Sequence, residues 1–223
     1  STVGTKAETD LLQQYIPIAE MRSLTLPDGT KVQLNSKSTL LYPQEFTGDS
    51  RSVFLLGEAN FKVKPDKKRP FIVKSNDLQI TALGTEFNVS AYPESQEIAT
   101  TLISGSIRVD YNNLTTSVIL HPNEQFAYNR NNKKYDLSNP DMDDVTAWQR
   151  GDLQKMTLTD IINVLERKYP YAFVYSIKNL KNDRFSFRFK DNAPLEEVME
   201  IIVNVVGQMD YRIVEDKCYL TRI

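Results

Sequence analysis

The chain holds one cysteine, Cys218, one histidine, His121, and one tryptophan, Trp148, among its 223 residues. A lone thiol closes no disulfide within the chain, and one thiol with one imidazole cannot supply the clustered ligands of a zinc site. Cysteine usage therefore leaves the compartment open. Long apolar runs are missing as well: no stretch of about 18 such residues exists, so no segment is expected to span a membrane as a helix. An excess of charge is also lacking. Lys and Arg number 27 against 29 Asp and Glu, a formal net charge of -2, which removes the electrostatic reason to expect nucleic acid. The chain begins at Ser1 rather than methionine, so an upstream piece carrying an anchor is expected, with residues 1–14 as a linker after it.

What is present, 40% hydrophobic and 25% charged residues, is the composition of an ordinary globular protein, long enough for two modest domains. From about Tyr15 to Tyr135 short runs alternate between apolar and polar residues and are punctuated by turn formers, which predicts an all-β unit over 15–138. Asp28-Gly29 suits a two-residue turn, after which Val32 and Leu34 face one side while Lys31, Gln33 and Asn35 face the other. Phe61 and Val63, Leu78 to Ala82, and Phe87 and Val89 alternate in the same way; Asn88 falls on an outward face. Ser104-Gly105-Ser106 is placed to turn Ile107–Tyr111 back onto Ile98–Ile103 as a second hairpin. Glycines 29, 57, 84 and 105 follow apolar runs at similar intervals, so a β-solenoid remains open beside a rolled antiparallel sandwich.

Asn139-Pro-Asp-Met-Asp-Asp144 is acidic and contains proline, and 139–147 reads as a linker. Beyond it, over 148–223, the pattern changes to β-α-β-β-α-β-β. Thr157 with Asp160 caps a helix whose apolar face is Leu158, Ile161, Ile162 and Leu165, ending before Pro170. Pro194 takes the first turn of a second helix with Leu195, Val198, Met199, Ile202 and Val206 inward and Gly207 as its stop. Strands are expected at Ala172–Tyr175, Phe185–Phe189, Tyr211–Val214 and Cys218–Thr221, with the two helices on one face of a small α+β sheet.

Chemistry-bearing residues are scattered, and each has a structural reading. His121 before Pro122 has no nucleophile or acid motif beside it and reads as a turn histidine. Asp141, Asp143 and Asp144 lack the spaced ligands of a calcium loop. Leu56-Gly57 and Leu83-Gly-Thr85 lack the glycines and lysine of a phosphate cradle, and Lys64, Lys67, Lys68 and Arg69 are interrupted by Pro65 and Asp66 in a loop. Phe185, Phe187 and Phe189 read as core. No catalytic residue, metal site or cofactor is assigned. The exception to structural readings is Cys218, Tyr219, Leu220, Thr221, Arg222 and Ile223, an edge-strand candidate whose unpaired backbone groups could take a partner strand.

Ile16-Pro-Ile-Ala-Glu20, Leu26-Pro-Asp-Gly-Thr30, Leu56-Gly-Glu-Ala59, Pro70-Phe-Ile-Val73 and Leu83-Gly-Thr-Glu-Phe-Asn-Val89, taken in order, resemble a FecR-type anti-sigma regulator. Thr101 to Val109 and Leu120-His-Pro-Asn-Glu-Gln125 continue the resemblance, with Asn123 where the family usually carries glycine. The stretch from Trp148-Gln-Arg-Gly151 through Pro194-Leu-Glu-Glu-Val198 is similar to the C-terminal module of these regulators, which is related to the short N-terminal domain of secretins and TonB-dependent transducers. The resemblance implies the periplasmic sensor of a single-pass inner-membrane protein. It further implies three classes of partner. These are the N-terminal signalling domain of an outer-membrane TonB-dependent transducer, an extracytoplasmic-function sigma factor held by a separate cytoplasmic domain, and periplasmic proteases that release it. The joint at Asn139–Asp144 is where a rearrangement is expected. A carbohydrate-binding or adhesive envelope module, suggested by 11 tyrosines and 10 phenylalanines, is the alternative; a hydrolase finds no residues to support it.

Overall fold

In the computed structural model of the chain, residues 11–150, 152–176, 183–188 and 192–223 are described. Two compact units divide it: the first ends at Pro140, and the second takes Asp141–Ile223 together with Pro17–Met21. The backbone N-H of Ala19 donates to the carbonyl of Arg167 at 3.0 Å, which ties that early segment to the second unit.

The first unit is a single large sheet curled onto itself. Its strands are β1 (Leu11–Tyr15), β2 (Arg22–Thr25), β3 (Lys31–Leu34), β4 (Thr39–Pro43), β5 (Arg51–Lys62), β6 (Phe71–Lys74) and β7 (Gln79–Ala82). They are followed by β8 (Glu86–Ala91), β9 (Glu97–Ser104), β10 (Ile107–Tyr111), β11 (Thr116–Leu120), β12 (Gln125–Asn129) and β13 (Lys134–Ser138). The 12-residue β5 belongs to both halves of the roll: its first part pairs with β4 and with β6, its second with β3 and β8. The bend falls at Gly57, whose φ of +110° and approach to Ser38 leave no room for a side chain; a Cβ there would lie 2.7 Å from the Ser38 Cα. Between the halves Leu55, Phe61, Phe71, Ile80, Phe87, Ile98, Val109 and Phe126 are wholly buried, and the rings of Phe61 and Phe87 stack at 5.3 Å. Each such side chain contributes about 1.5–3 kcal/mol relative to exposure.

The curled sheet realises the rolled arrangement, not a solenoid, and corrects several local expectations. Cys-free and glycine-poor as it is, the unit turns through a three-residue loop at Pro27-Asp28-Gly29, in place of a two-residue turn: Leu26 N-H donates to the Thr30 carbonyl and Gly29 N-H to the Leu26 carbonyl. Only Gly29 takes positive φ, +91°, because Pro27 enforces a negative one at the start. The second expected hairpin is absent. β9 pairs with β8 and β12, whereas β10 pairs with β7 and β11. Gly105, at φ +90° against Thr85, carries the chain from one half of the roll to the other. One pair, β5 with β6, is parallel in an otherwise antiparallel sheet. Leu11–Gln14, expected as the end of a linker, form with Tyr15 a strand paired along its length with β4.

A buried cation ties this roll together. Arg51 is fully buried; its Nη1 donates to Asp28 Oδ2 at 2.8 Å and to the Lys64 carbonyl at 2.6 Å, and its Nε donates to the Arg69 carbonyl at 2.8 Å. Asp28 in turn accepts from the Thr30 N-H at 2.9 Å and hydroxyl at 2.7 Å. The lysine-rich loop is thus held by its backbone, and Arg69 is bonded to Asp66 and to the Phe46 carbonyl.

The second unit opens with α1 (Met142–Thr146), capped by the Asp141 carboxylate accepting from Asp143 N-H, and a 3-10 turn at Ala147–Arg150. The segment 139–147 therefore contains helix, the acidic residues serving its first turn. β14 (Asp152–Thr157), α2 (Leu158–Lys168), β15 (Ala172–Val174), β16 (Arg184–Arg188), α3 (Leu195–Val206), β17 (Met209–Val214) and β18 (Lys217–Arg222) follow in the expected order. Thr157 is the N-cap of α2, its hydroxyl accepting from Asp160 N-H, and Leu158, Ile161, Ile162 and Leu165 are all buried. Pro194 sits one position earlier than expected, as the N-cap of α3, where its missing N-H costs nothing. The strands form two small sheets instead of one, β14 with β16 and β15-β18-β17. Phe187 is buried and Phe185 partly so in the shared core; Phe189 and Gly151 lie outside the described residues.

Candidate interaction surface of the second unit

The residues of Cys218–Ile223 do not lie on an edge along their whole length. β18 is the middle strand of its sheet, because the short β15 pairs with it in parallel over Lys217, Cys218 and Tyr219 while β17 pairs antiparallel on the other side. The reason is packing: Cys218 is wholly buried and Leu220 is 7% exposed, so this strand carries the apolar face that both helices cover. Past Tyr219 the situation changes. β15 ends at Val174, and among the described residues no strand pairs with Leu220–Arg222 on that side. Thr221 and Arg222 are exposed, and Ile223 is 83% exposed although its N-H donates to the Gln208 carbonyl.

A narrow groove runs along this uncovered strand end. Tyr175 and Ser176 follow β15 on one flank, Gln208 and Met209 follow α3 on the other, and Leu158 and Phe185 form its apolar floor. From the sequence, Tyr175 is the end of an expected strand and Phe185 a core residue, and only Cys218–Ile223 is singled out for a partner; Gln208 carries no signal. Gly207 at φ +72° and Gln208 at φ +53° bring the chain out of α3 into β17, and only the glycine announced that turn. Backbone donors and acceptors beside an apolar floor are the geometry of strand addition, in which main-chain bonds give affinity and side-chain pockets give selectivity.

The titratable groups here are set for packing. Burial, then Glu196, pushes the Cys218 thiol up to about 11, so at neutral pH it is a thiol and not a nucleophile. Burial also raises Tyr211, to about 12, helped by the hydroxyl donating to Glu200 Oε1 at 2.8 Å. Tyr169 is raised by burial and by Glu197, and its hydroxyl donates to the Ala193 carbonyl at 2.7 Å. In the first unit His121 is exposed in a turn, its backbone N-H donating to Glu124 Oε1. Among the described residues no group of three or more His, Cys, Asp or Glu is placed to hold a metal ion, and no helix is long and apolar enough to cross a membrane.

No protein of curated function matches the sequence. Two family models do, the FecR protein over residues 16–108 and the FecR C-terminal region over 152–220. Two crystal structures, each of a candidate anti-sigma factor from Parabacteroides distasonis ATCC 8503, share the fold. The first has 33% identity, covers 96% of this chain and 99% of the other, and superposes with a TM-score of 0.86. The second has 33% identity, covers 95% and 99%, and has a TM-score of 0.85. Matches of that extent, spanning both units in order, place this chain in the FecR family of anti-sigma factors, regulatory proteins that act on sigma factors.

Proposed function

We propose that this chain is the periplasmic sensor region of a single-pass inner-membrane anti-sigma factor. It receives a signal from the N-terminal signalling domain of an outer-membrane TonB-dependent transducer. It controls release of an extracytoplasmic-function sigma factor held by a separate cytoplasmic domain, the release being completed by periplasmic proteases. The domains would be a linker at 1–14, a FecR-like β domain at 15–138, a joint at 139–147 and a secretin-like α+β domain at 148–223. The observation that carries the reading is the match to a candidate anti-sigma factor over 96% of the chain, at 33% identity.

The action is by contact and not by catalysis. Of the site first expected at Cys218–Ile223, the part available to a partner is Leu220, Thr221, Arg222 and Ile223, where a strand of the signalling domain would extend the β15-β18-β17 sheet beyond the end of β15. Cys218 and Tyr219 support that edge from within. A signal passes only if the loaded transducer favours one arrangement of the sensor over another, since a partner with equal affinity for both states shifts neither. Calorimetric titration of the chain with the complete transducer, ligand-loaded and ligand-free, tests this: tighter binding of the loaded form is expected, and equal affinities contradict the mechanism.

A further inference from the structure

We infer that the first unit carries a second binding site, an open cleft for an acidic oligosaccharide, independent of the sensor reading above. The cleft has a volume of about 650 Å³, within the usual range of ligand sites. Three turns converge on it, those after β6, between β10 and β11, and between β12 and β13.

Its walls are fixed before any ligand arrives. Arg130 Nε donates to Asp77 Oδ2 at 2.9 Å while its Nη1 donates to the carbonyls of Pro93 and Ser95 at 2.8 and 2.9 Å, so the turn after β6 is clamped to a neighbouring loop. Asn112, Asn113 and Leu114 are held in succession at positive φ of 52°, 55° and 65°. Asparagine tolerates that conformation; leucine seldom takes it, and Leu114 stands at the rim 55% exposed.

Hydroxyl-rich ligands suit groups that both donate and accept, and the side-chain amides of Asn76, Gln79, Asn112 and Asn113 do both. Tyr128 lines the same cleft at 5% exposure, and its hydroxyl has no hydrogen-bond partner among the described residues, although its ring is fixed against Phe126. That hydroxyl opens on the cleft, where it can both donate to and accept from a ligand hydroxyl. Phe54 adds an aromatic surface against which a sugar face can pack.

Charge selects within that class. Lys74 and Lys133 line the cleft and neither has a carboxylate partner among the described residues, whereas the one acid there, Asp77, is neutralised by Arg130. In a chain of net charge -2 this is a local positive excess, suited to a carboxylate or sulfate on the sugar. An extended peptide would call for a free strand edge or apolar anchor pockets, and these walls are turns bearing polar groups.

The test is calorimetric titration of the intact chain with trigalacturonate, maltotriose and triglutamate. Trigalacturonate is expected to bind most tightly. Tyr128→Phe, which keeps the ring, should weaken it by about two- to tenfold, the effect of one hydrogen bond. Lys74→Gln with Lys133→Gln, both on exposed side chains, should abolish the preference over maltotriose. Unchanged thermal midpoints would establish that the variants are folded. The proposal is overturned if trigalacturonate fails to bind, if maltotriose or triglutamate binds as well, or if binding ignores both sets of substitutions.

Discussion

Arg51 shows how much one residue can organise and how little of that is readable in advance. The Asp28-Gly29 turn announced itself by composition, yet nothing local says that the Asp28 carboxylate receives a guanidinium 23 residues away, with both side chains nearly inaccessible at 0% and 5%. Removing one member of a buried pair strands the other charge, and costs about 3–5 kcal/mol, more than the pair itself contributes. Asp28→Ala should therefore lower the first unit's unfolding free energy by roughly that amount in denaturant titration, while a loss below about 1 kcal/mol would show the carboxylate to be dispensable. Gly57 is a second such position. Its φ of +110° and the backbone of Ser38 both oppose a methyl group, so Gly57→Ala should cost about 2–4 kcal/mol. A neutral substitution there would mean that β5 can bend elsewhere.

At the scale of elements, alternation revealed strands and helical spacing revealed helices, because both are properties of neighbours in sequence. Thr157, Leu158, Ile161, Ile162 and Leu165 specify α2 with its cap and its buried face, all within nine residues. Pairing was less legible. Ile98–Ile103 and Ile107–Tyr111 are strands flanking a glycine turn, and sequence proximity argued for a hairpin, yet the chain crosses between halves of the roll at Gly105. Alternation also says which side a residue faces and not how crowded that side is. Asn88 points away from the main core but is only 4% exposed, its amide donating to Glu58 Oε2, which shares its carboxylate with Asn35.

The second unit buries Cys218 and partly covers Tyr211, two acids that prefer to stay neutral there, which gives that unit a pH limit. Tyr211 rises from 10 to about 12 and Cys218 from 9 to about 11 on folding. A folded pKa above the unfolded one means that the unfolded state loses its proton first. The stabilisation is complete below pH 9 and declines as pH climbs toward 12. The described helices all lie in this unit, so the helical circular-dichroism signal should melt at progressively lower temperature across that window. Tyr211→Phe should flatten the upper part of the decline. A midpoint constant from pH 9 to 12 would contradict the upward shift of both groups on folding.

For the whole molecule, order along the chain was the readable quantity: a β unit, an acidic joint, then β-α-β-β-α-β-β. The surface for a partner was legible only in part, because an edge is a relation between strands distant in sequence. Cys218 to Ile223 looks terminal, and β15 covers its first half all the same. That also changes which perturbation is informative: cutting the chain after Asp216 would take Cys218 and Leu220 out of the core, so lost binding would report lost folding. Amide hydrogen exchange of the intact chain with and without the transducer's signalling domain avoids that difficulty. The account predicts added protection on complex formation at Leu220 and Arg222, whose N-H groups face away from β17; no binding, or protection confined to residues 11–140, would contradict it.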